Sequence, residues 1–181
     1  MESGKLLELF PEFEEIQKRE LKEKALQAMA LAIEEGGWAP EDVIHTPTTL
    51  TWPDCPTNLV DHVRLVTRLC IKNFEELSPL YRANGVELNR DIVVCGALLH
   101  DIGKLTEFCC REGRIEHSES FPLIRHPLSG AILAQRAGLP AEIVHLIANH
   151  SYEGDKAYLT PEAAFVRSID DFVFHCSIYG L

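Results

Sequence analysis

The 181-residue chain reads as an all-α fold. Three observations predict it. From Asn58 to His175 apolar residues recur at helical spacing, the starts of the periodic segments carry residues suited to helix N-termini, and no run of alternating β-branched residues competes. Taken in order, residues 11–35 are expected as one long helix. Pro11 suits a first turn, Ile16, Met29 and Ile33 are among its apolar positions, and Gly36-Gly37 stops it. Such a helix offers a face for packing within the chain or for a homodimer. Residues 38–56 hold Pro40, Pro47, Pro53, Pro56, the stretch Thr46-Pro47-Thr48-Thr49 and two tryptophans, the pattern of an irregular connector, with a lid over a site as the alternative. Helices are then expected over 58–76, 90–102, 127–137, 140–150 and 161–175. Asn89 is a good N-cap, Pro127, Pro140 and Pro161 fit first turns, Thr160 precedes the last helix, and Gly103 and Gly138 fit helix ends. The organisation expected is a helical extension and connector over 1–50, followed by the main domain over 51–181.

A net charge of −11 and a pI near 5.1 disfavour long duplex nucleic acid, whose binding rests on Lys and Arg neutralising many phosphates. A small phosphorylated substrate remains compatible, because bound metal ions supply positive charge locally. No apolar run approaches the roughly 20 residues needed to cross a bilayer, and charge begins at Glu2 and Lys5 where a signal peptide would have its core, so no membrane association and a cytoplasmic location are expected. The six cysteines (Cys55, Cys70, Cys95, Cys109, Cys110, Cys176) form no Cys-x-x-Cys pair and read as reduced structural residues.

Helical phase sorts the polar candidates, because a polar group that interrupts an apolar stripe is costly unless paired or metal-bound. Leu59, Val63, Val66 and Cys70 form a stripe in which His62 points inward. Val93 and Ala97 lead to His100, and Val94 leads to Asp101 seven residues on. Ile143, Leu146 and Ile147 define a stripe that includes His150 and leaves His145 on the solvated side. Ala163, Val166, Ile169 and Val173 flank Asp170, while Asp171 stands four after Arg167, placed for a surface ion pair. Periodicity does not place His126, which enters its helix before Pro127, but the small pair Ser129-Gly130 one turn later would leave room beside a metal. His45, His117 and His175 read as surface histidines. With no inward Arg or Lys in view, two buried carboxylates facing one core point to a metal centre.

With these residues in place, the ordered set His62, His100-Asp101-Ile102-Gly103-Lys104, His126, His150 and Asp170 resembles the HD-domain phosphohydrolase superfamily over roughly residues 58–175. The resemblance implies a helical HD bundle. It also implies that His62, His100, Asp101 and Asp170 hold one divalent ion and that Asp101 bridges to a second held by His126 and His150, the ions being Mn²⁺, Fe²⁺/Fe³⁺, Mg²⁺, Ni²⁺ or Zn²⁺. The activity it implies is metal-dependent hydrolysis of a phosphomonoester or phosphodiester, the substrate a nucleotide or other small phosphoester. The two extra histidines resemble the dinuclear branch, although Asn149-His150-Ser151 and the lack of a Gly-Tyr-Pro element depart from its HD-GYP members. Residues 160–171 are similar to the end of HD domains fused to bacterial exoribonucleases. Asp101 would be a bridging catalytic carboxylate, and Lys104 would stabilise charge on the transferring phosphoryl group. Two rival readings are a di-iron O₂-dependent oxygenase of the same fold and a non-catalytic signalling module.

Overall fold

The computed structural model describes residues 3–52 and 55–179; Glu2 and Pro53, used above, lie outside the described residues. Helix α1 (Ser3–Leu9) is followed by a 3₁₀ turn (Pro11–Glu15) and α2 (Arg19–Glu35). The single helix expected over 11–35 is therefore broken, and the cause is a remote carboxylate. Asp91 accepts the backbone N–H groups of Gln17 and Lys18 at 2.8 and 3.0 Å, while Ile16 and Lys18 are extended. Amides committed to Asp91 cannot continue an i−4 ladder, so the helix restarts at Arg19. The apolar face of α2 (Leu21, Ala25, Ala28, Met29, Ala32, Ile33) is buried in the common core against later helices.

Helix α3 (Leu59–Ala83) is capped by Asn58, whose side chain accepts the Asp61 N–H at 2.8 Å. It extends past residue 76 and through Pro79, because Leu77 and Tyr81 of its second half pack against the core. Helix α4 (Arg90–Leu99), capped by Asn89, is buried at every position from Asp91 to Leu99. A helix apolar all round belongs at the centre, and α3, α7 (Ala141–Asn149) and α8 (Pro161–Ile178) pack around it. Gly96 permits the approach of α7, since a Cβ there would meet Leu146 Cδ1 at 2.4 Å. Helix α6 (His126–Arg136) packs on α7 across a short connection in which Gly138 has φ +74°.

A short α5 (Lys104–Glu107) leads into a small element that the helical reading missed. Strands β1 (Phe108–Arg111) and β2 (Arg114–His117) pair antiparallel with Phe108 opposite His117. Glu112 and Gly113 both have positive φ, 52° and 75°, which is the two-residue hairpin geometry. Strands of four residues each leave the fold helical. All six cysteines are free. Among the described residues no helix is long and apolar enough to cross a membrane.

Candidate metal centre

The site forms where the buried helix α4 ends. His100 and Asp101 follow Leu99 at its C-terminus, α3 brings His62 from one side, α8 brings Asp170, and the N-terminus of α6 and C-terminus of α7 bring His126 and His150. All but Asp170 are buried, and the Asp170 side chain is 13% exposed. Two groups of donor atoms result, His62 with His100 and Asp170, and Asp101 with His126 and His150, each with its atoms within 4.8 Å of one another. Asp101 faces both. Its Oδ2 lies 3.5 Å from His62 Nε2 and 3.4 Å from His100 Nε2, and its Oδ1 lies 3.5 Å from His126 Nε2 and 3.4 Å from His150 Nε2.

The rings are oriented from behind. His100 Nδ1 is 2.7 Å from Ala97 O and His150 Nδ1 is 2.7 Å from Ile147 O, and since a carbonyl only accepts, both imidazoles carry the proton on Nδ1 and present Nε2 inward. His126 is held by Glu107, which accepts its backbone N–H and sits 3.1 Å from Nδ1. Burial lowers His126 to about 4, against the opposing pull of Glu107, so the ring is neutral. Burial also opposes charge on His100, but the Asp170 and Asp101 carboxylates outweigh it and raise the imidazolium to about 10. Asp101 is kept ionised well below the usual carboxylate range, Lys104 and His100 overcoming the cost of burial, and Asp170 likewise, through His100 and His62. Borderline imidazole nitrogens and ionised carboxylates in two adjoining sets suit a pair of divalent first-row ions. Among the described residues the buried His62 Nδ1 has no hydrogen-bond partner.

Several expectations are corrected here. Lys104 is an inward cation: its Nζ donates to Asp101 Oδ2 at 2.7 Å, because the short α5 turns the chain back over the end of α4. Gly103 does not end a helix through a left-handed residue; a Cβ there would lie 2.0 Å from His126 O and 2.6 Å from Ser129 Oγ, so the glycine admits α6. The space at Gly130 serves the same contact, with Gly103 N at 3.2 Å and Ile147 Cγ2 at 2.9 Å from a Cβ, and is not room beside a metal. His145 is half-buried instead of solvated, its Nδ1 beside Asn149 and its Nε2 buried without a partner among the described residues. Asp171 does face Arg167, at 3.8 Å. His45 and His175 are exposed and off the site, but the exposed His117 stands on its rim.

The centre opens into a cleft of about 420 Å³, along whose wall Thr48 to Trp52 of the connector also run. Helical phase missed Glu107, Arg125 and Tyr152. Arg125 Nη1 donates to Glu107 at 3.0 Å and its Nε to Glu153 at 3.2 Å, so it braces the residue that braces His126. The one available signal was the placement of Arg125 directly before His126.

The HD domain pattern matches residues 59–173. A dihydroneopterin 2',3'-cyclic phosphate phosphodiesterase from Methanocaldococcus jannaschii is 30% identical over 170 residues, 90% of this chain and 63% of the relative. Ribonuclease Y from Thermotoga petrophila is 36% identical over 90 residues, and that from Chloroflexus aurantiacus 40% over 82, covering 50% and 45% of this chain but only 15% and 13% of the relatives. The chain thus spans under two thirds of the length of these relatives. No solved structure matches. The matched segment contains the whole ordered set from His62 to Asp170, gathered around one carboxylate at the end of one buried helix, and the chain belongs to the HD domain family.

Proposed function

We propose that the chain is a metal-dependent phosphohydrolase that cleaves a small phosphodiester, with a cyclic phosphodiester of a nucleotide-like molecule as the substrate class. The observation that supports it most is the two-sided Asp101, one oxygen toward each donor group. His62, His100 and Asp170 would hold one ion, His126 and His150 the other, and Asp101 both. Such a pair supplies Lewis acidity toward phosphoryl oxygens and a nucleophile at neutral pH. The protein's own part is positioning. His100 and His150 have their Nδ1 protons committed to carbonyls, so their Nε2 atoms face the cluster without rotation, and His100 would give up its Nε2 proton when an ion binds. Glu107 keeps His126 in place. Lys104, beside Asp101 in the cleft wall, puts a cation where negative charge grows as the phosphoryl group transfers. The name of the Methanocaldococcus relative supports the cyclic diester, and the net charge of −11 weighs against long RNA.

The test is metal analysis of the purified chain, followed by anaerobic assay of phosphomonoesters and phosphodiesters, nucleoside 2',3'-cyclic phosphates included, with Mn²⁺, Mg²⁺, Ni²⁺ and Fe²⁺. Two ions per chain and hydrolysis without O₂ are expected. One ion, with His126→Ala unaffected, would overturn the dinuclear assignment, and turnover strictly requiring O₂ would replace the hydrolase with the oxygenase.

A further inference from the structure

The floor of the cleft is ionic, but its mouth is aromatic. Trp52, Phe108, His117, Phe121, Tyr152 and Phe174 all line it. They come from the connector, the hairpin and the loop after it, the turn after α7, and α8. Trp52 is 42% exposed and meets Phe174 edge to face, with centroids 5.9 Å apart. Across sequence from it, His117 lies flat on Phe121, centroids 3.6 Å apart and planes within 8°. The Arg125 guanidinium, anchored by Glu107 and Glu153, sits 5.4 Å from the Phe121 centroid and 5.7 Å from that of Tyr152, which is 63% exposed.

None of these rings belongs to the donor set; Phe108 is buried and Phe121 and Phe174 half-buried, while Trp52, His117 and Tyr152 are exposed, which is unfavourable in water. Large aromatic side chains bury about 150–250 Å² each when covered, so several left open around one cavity mark a surface built to be covered. The rings themselves offer flat π faces beside one fixed guanidinium, whereas the hydroxyls and ammonium that line the same cleft come from Thr49, Thr51, Ser151 and Lys104. Such faces bind planar heteroaromatic rings by stacking, as in single-strand nucleic-acid binding. The cleft is of a size for one small molecule, and the donor set at its floor fixes which end of that molecule is the phosphate.

We infer that the aromatic mouth is a stacking subsite for a planar heteroaromatic ring carried by the substrate, with Trp52 and Tyr152 as its exposed faces. The orientation of the substrate rests on the phosphohydrolase reading, whereas ring binding itself does not. The chain has two tryptophans, and Trp38 is 6% exposed with its indole N–H bonded to Leu105 O, so Trp52 is the one a ligand can reach.

The experiment titrates the full chain in EDTA, where hydrolysis is suppressed, with adenosine and guanosine 3'-monophosphates and with ribose 5-phosphate, reading tryptophan emission and calorimetric heat. Saturable quenching by at least one nucleotide, with ribose 5-phosphate silent, is expected. By calorimetry, Trp52→Leu and Tyr152→Ala should each weaken nucleotide binding roughly 10-fold, the scale of one base–aromatic stack, while Trp52→Phe should restore it. Equal binding of ribose 5-phosphate, no saturable binding of either nucleotide, or full affinity in both weakened variants would overturn the subsite. Hydrolysis of glycerol 1,2-cyclic phosphate as efficient as that of the nucleoside 2',3'-cyclic phosphates would overturn it too and leave the hydrolase standing. Ring-selective binding with no phosphoester hydrolysed would do the reverse.

Discussion

His62 and Asp170 reach the cluster from within two long helices, whereas His126 and His150 stand at the ends of two shorter ones. Within the first pair, His62 Nε2 lies 2.9 Å from Asp170 Oδ1, but the buried His62 Nδ1 has no hydrogen-bond partner among the described residues. Its aim is set by the packing of α3 and α8 on α4. Within the second pair each ring is clamped locally, His150 by the Ile147 carbonyl and His126 by Glu107. The His126–His150 side is thus held entirely by such clamps, whereas the other side combines the Ala97 clamp on His100 with a His62 aimed by helix packing. The two sides should fail differently.

Asp101 is shared, so Asp101→Ala should have the largest effect, dropping metal content below one ion per chain and phosphoester turnover by roughly 10³-fold or more. Metal analysis showing one group still filled would mean that the halves are independent. Next, Lys104→Ala should keep its metals yet lose about 10²-fold in kcat, the scale of one preorganised charge-stabilising donor, and normal turnover would return Lys104 to a packing role. Glu107→Gln should weaken only the His126 side, by about 10–100-fold in affinity for one ion in a chelator competition, and equal weakening of both ions would erase the distinction between the two halves.

The first group carries a smaller and separate signature. With His100 raised to about 10 from 6.5, its charge stabilises the metal-free fold fully below about pH 6.5, and that contribution is lost as pH rises through 10. Metal binding at pH 8 should therefore release about one proton from this group, read by calorimetry in buffers of different ionisation enthalpy, and the release should vanish above pH 11. The smallest effects belong to the neighbours that resemble ligands in sequence. His145→Ala and Asp171→Ala should leave metal content unchanged, and a loss in either would show that helical phase chose the wrong side chain.

The halves also differ in how far they could be read from sequence. His62 and Asp170 lie inside regular stripes, where phase alone aims a side chain, and His100, Asp101 and His150 could be reached by extending a stripe one step past the helix end. His126 could not, because its position depends on Gly103 admitting α6 and on Glu107, contacts between segments with no common period. The same limit hid the break at Ile16 to Lys18, which a carboxylate 73 residues away creates. The hairpin did announce itself in Glu112-Gly113, but strands of four residues carry too little alternation to be seen.

Trp38 gives the region ahead of the family match a hold on the site. Its indole donates to Leu105 O at 2.6 Å, and Gly36 approaches that carbonyl so closely that a Cβ would lie 1.8 Å away. Leu105 is the residue after Lys104. A fragment trimmed to residues 59–173 would keep every candidate ligand and discard the buttress under the short helix that carries the ammonium. A substitution at Trp38 is therefore expected to act on the site through the turn of α5 beneath Lys104, without altering any candidate donor.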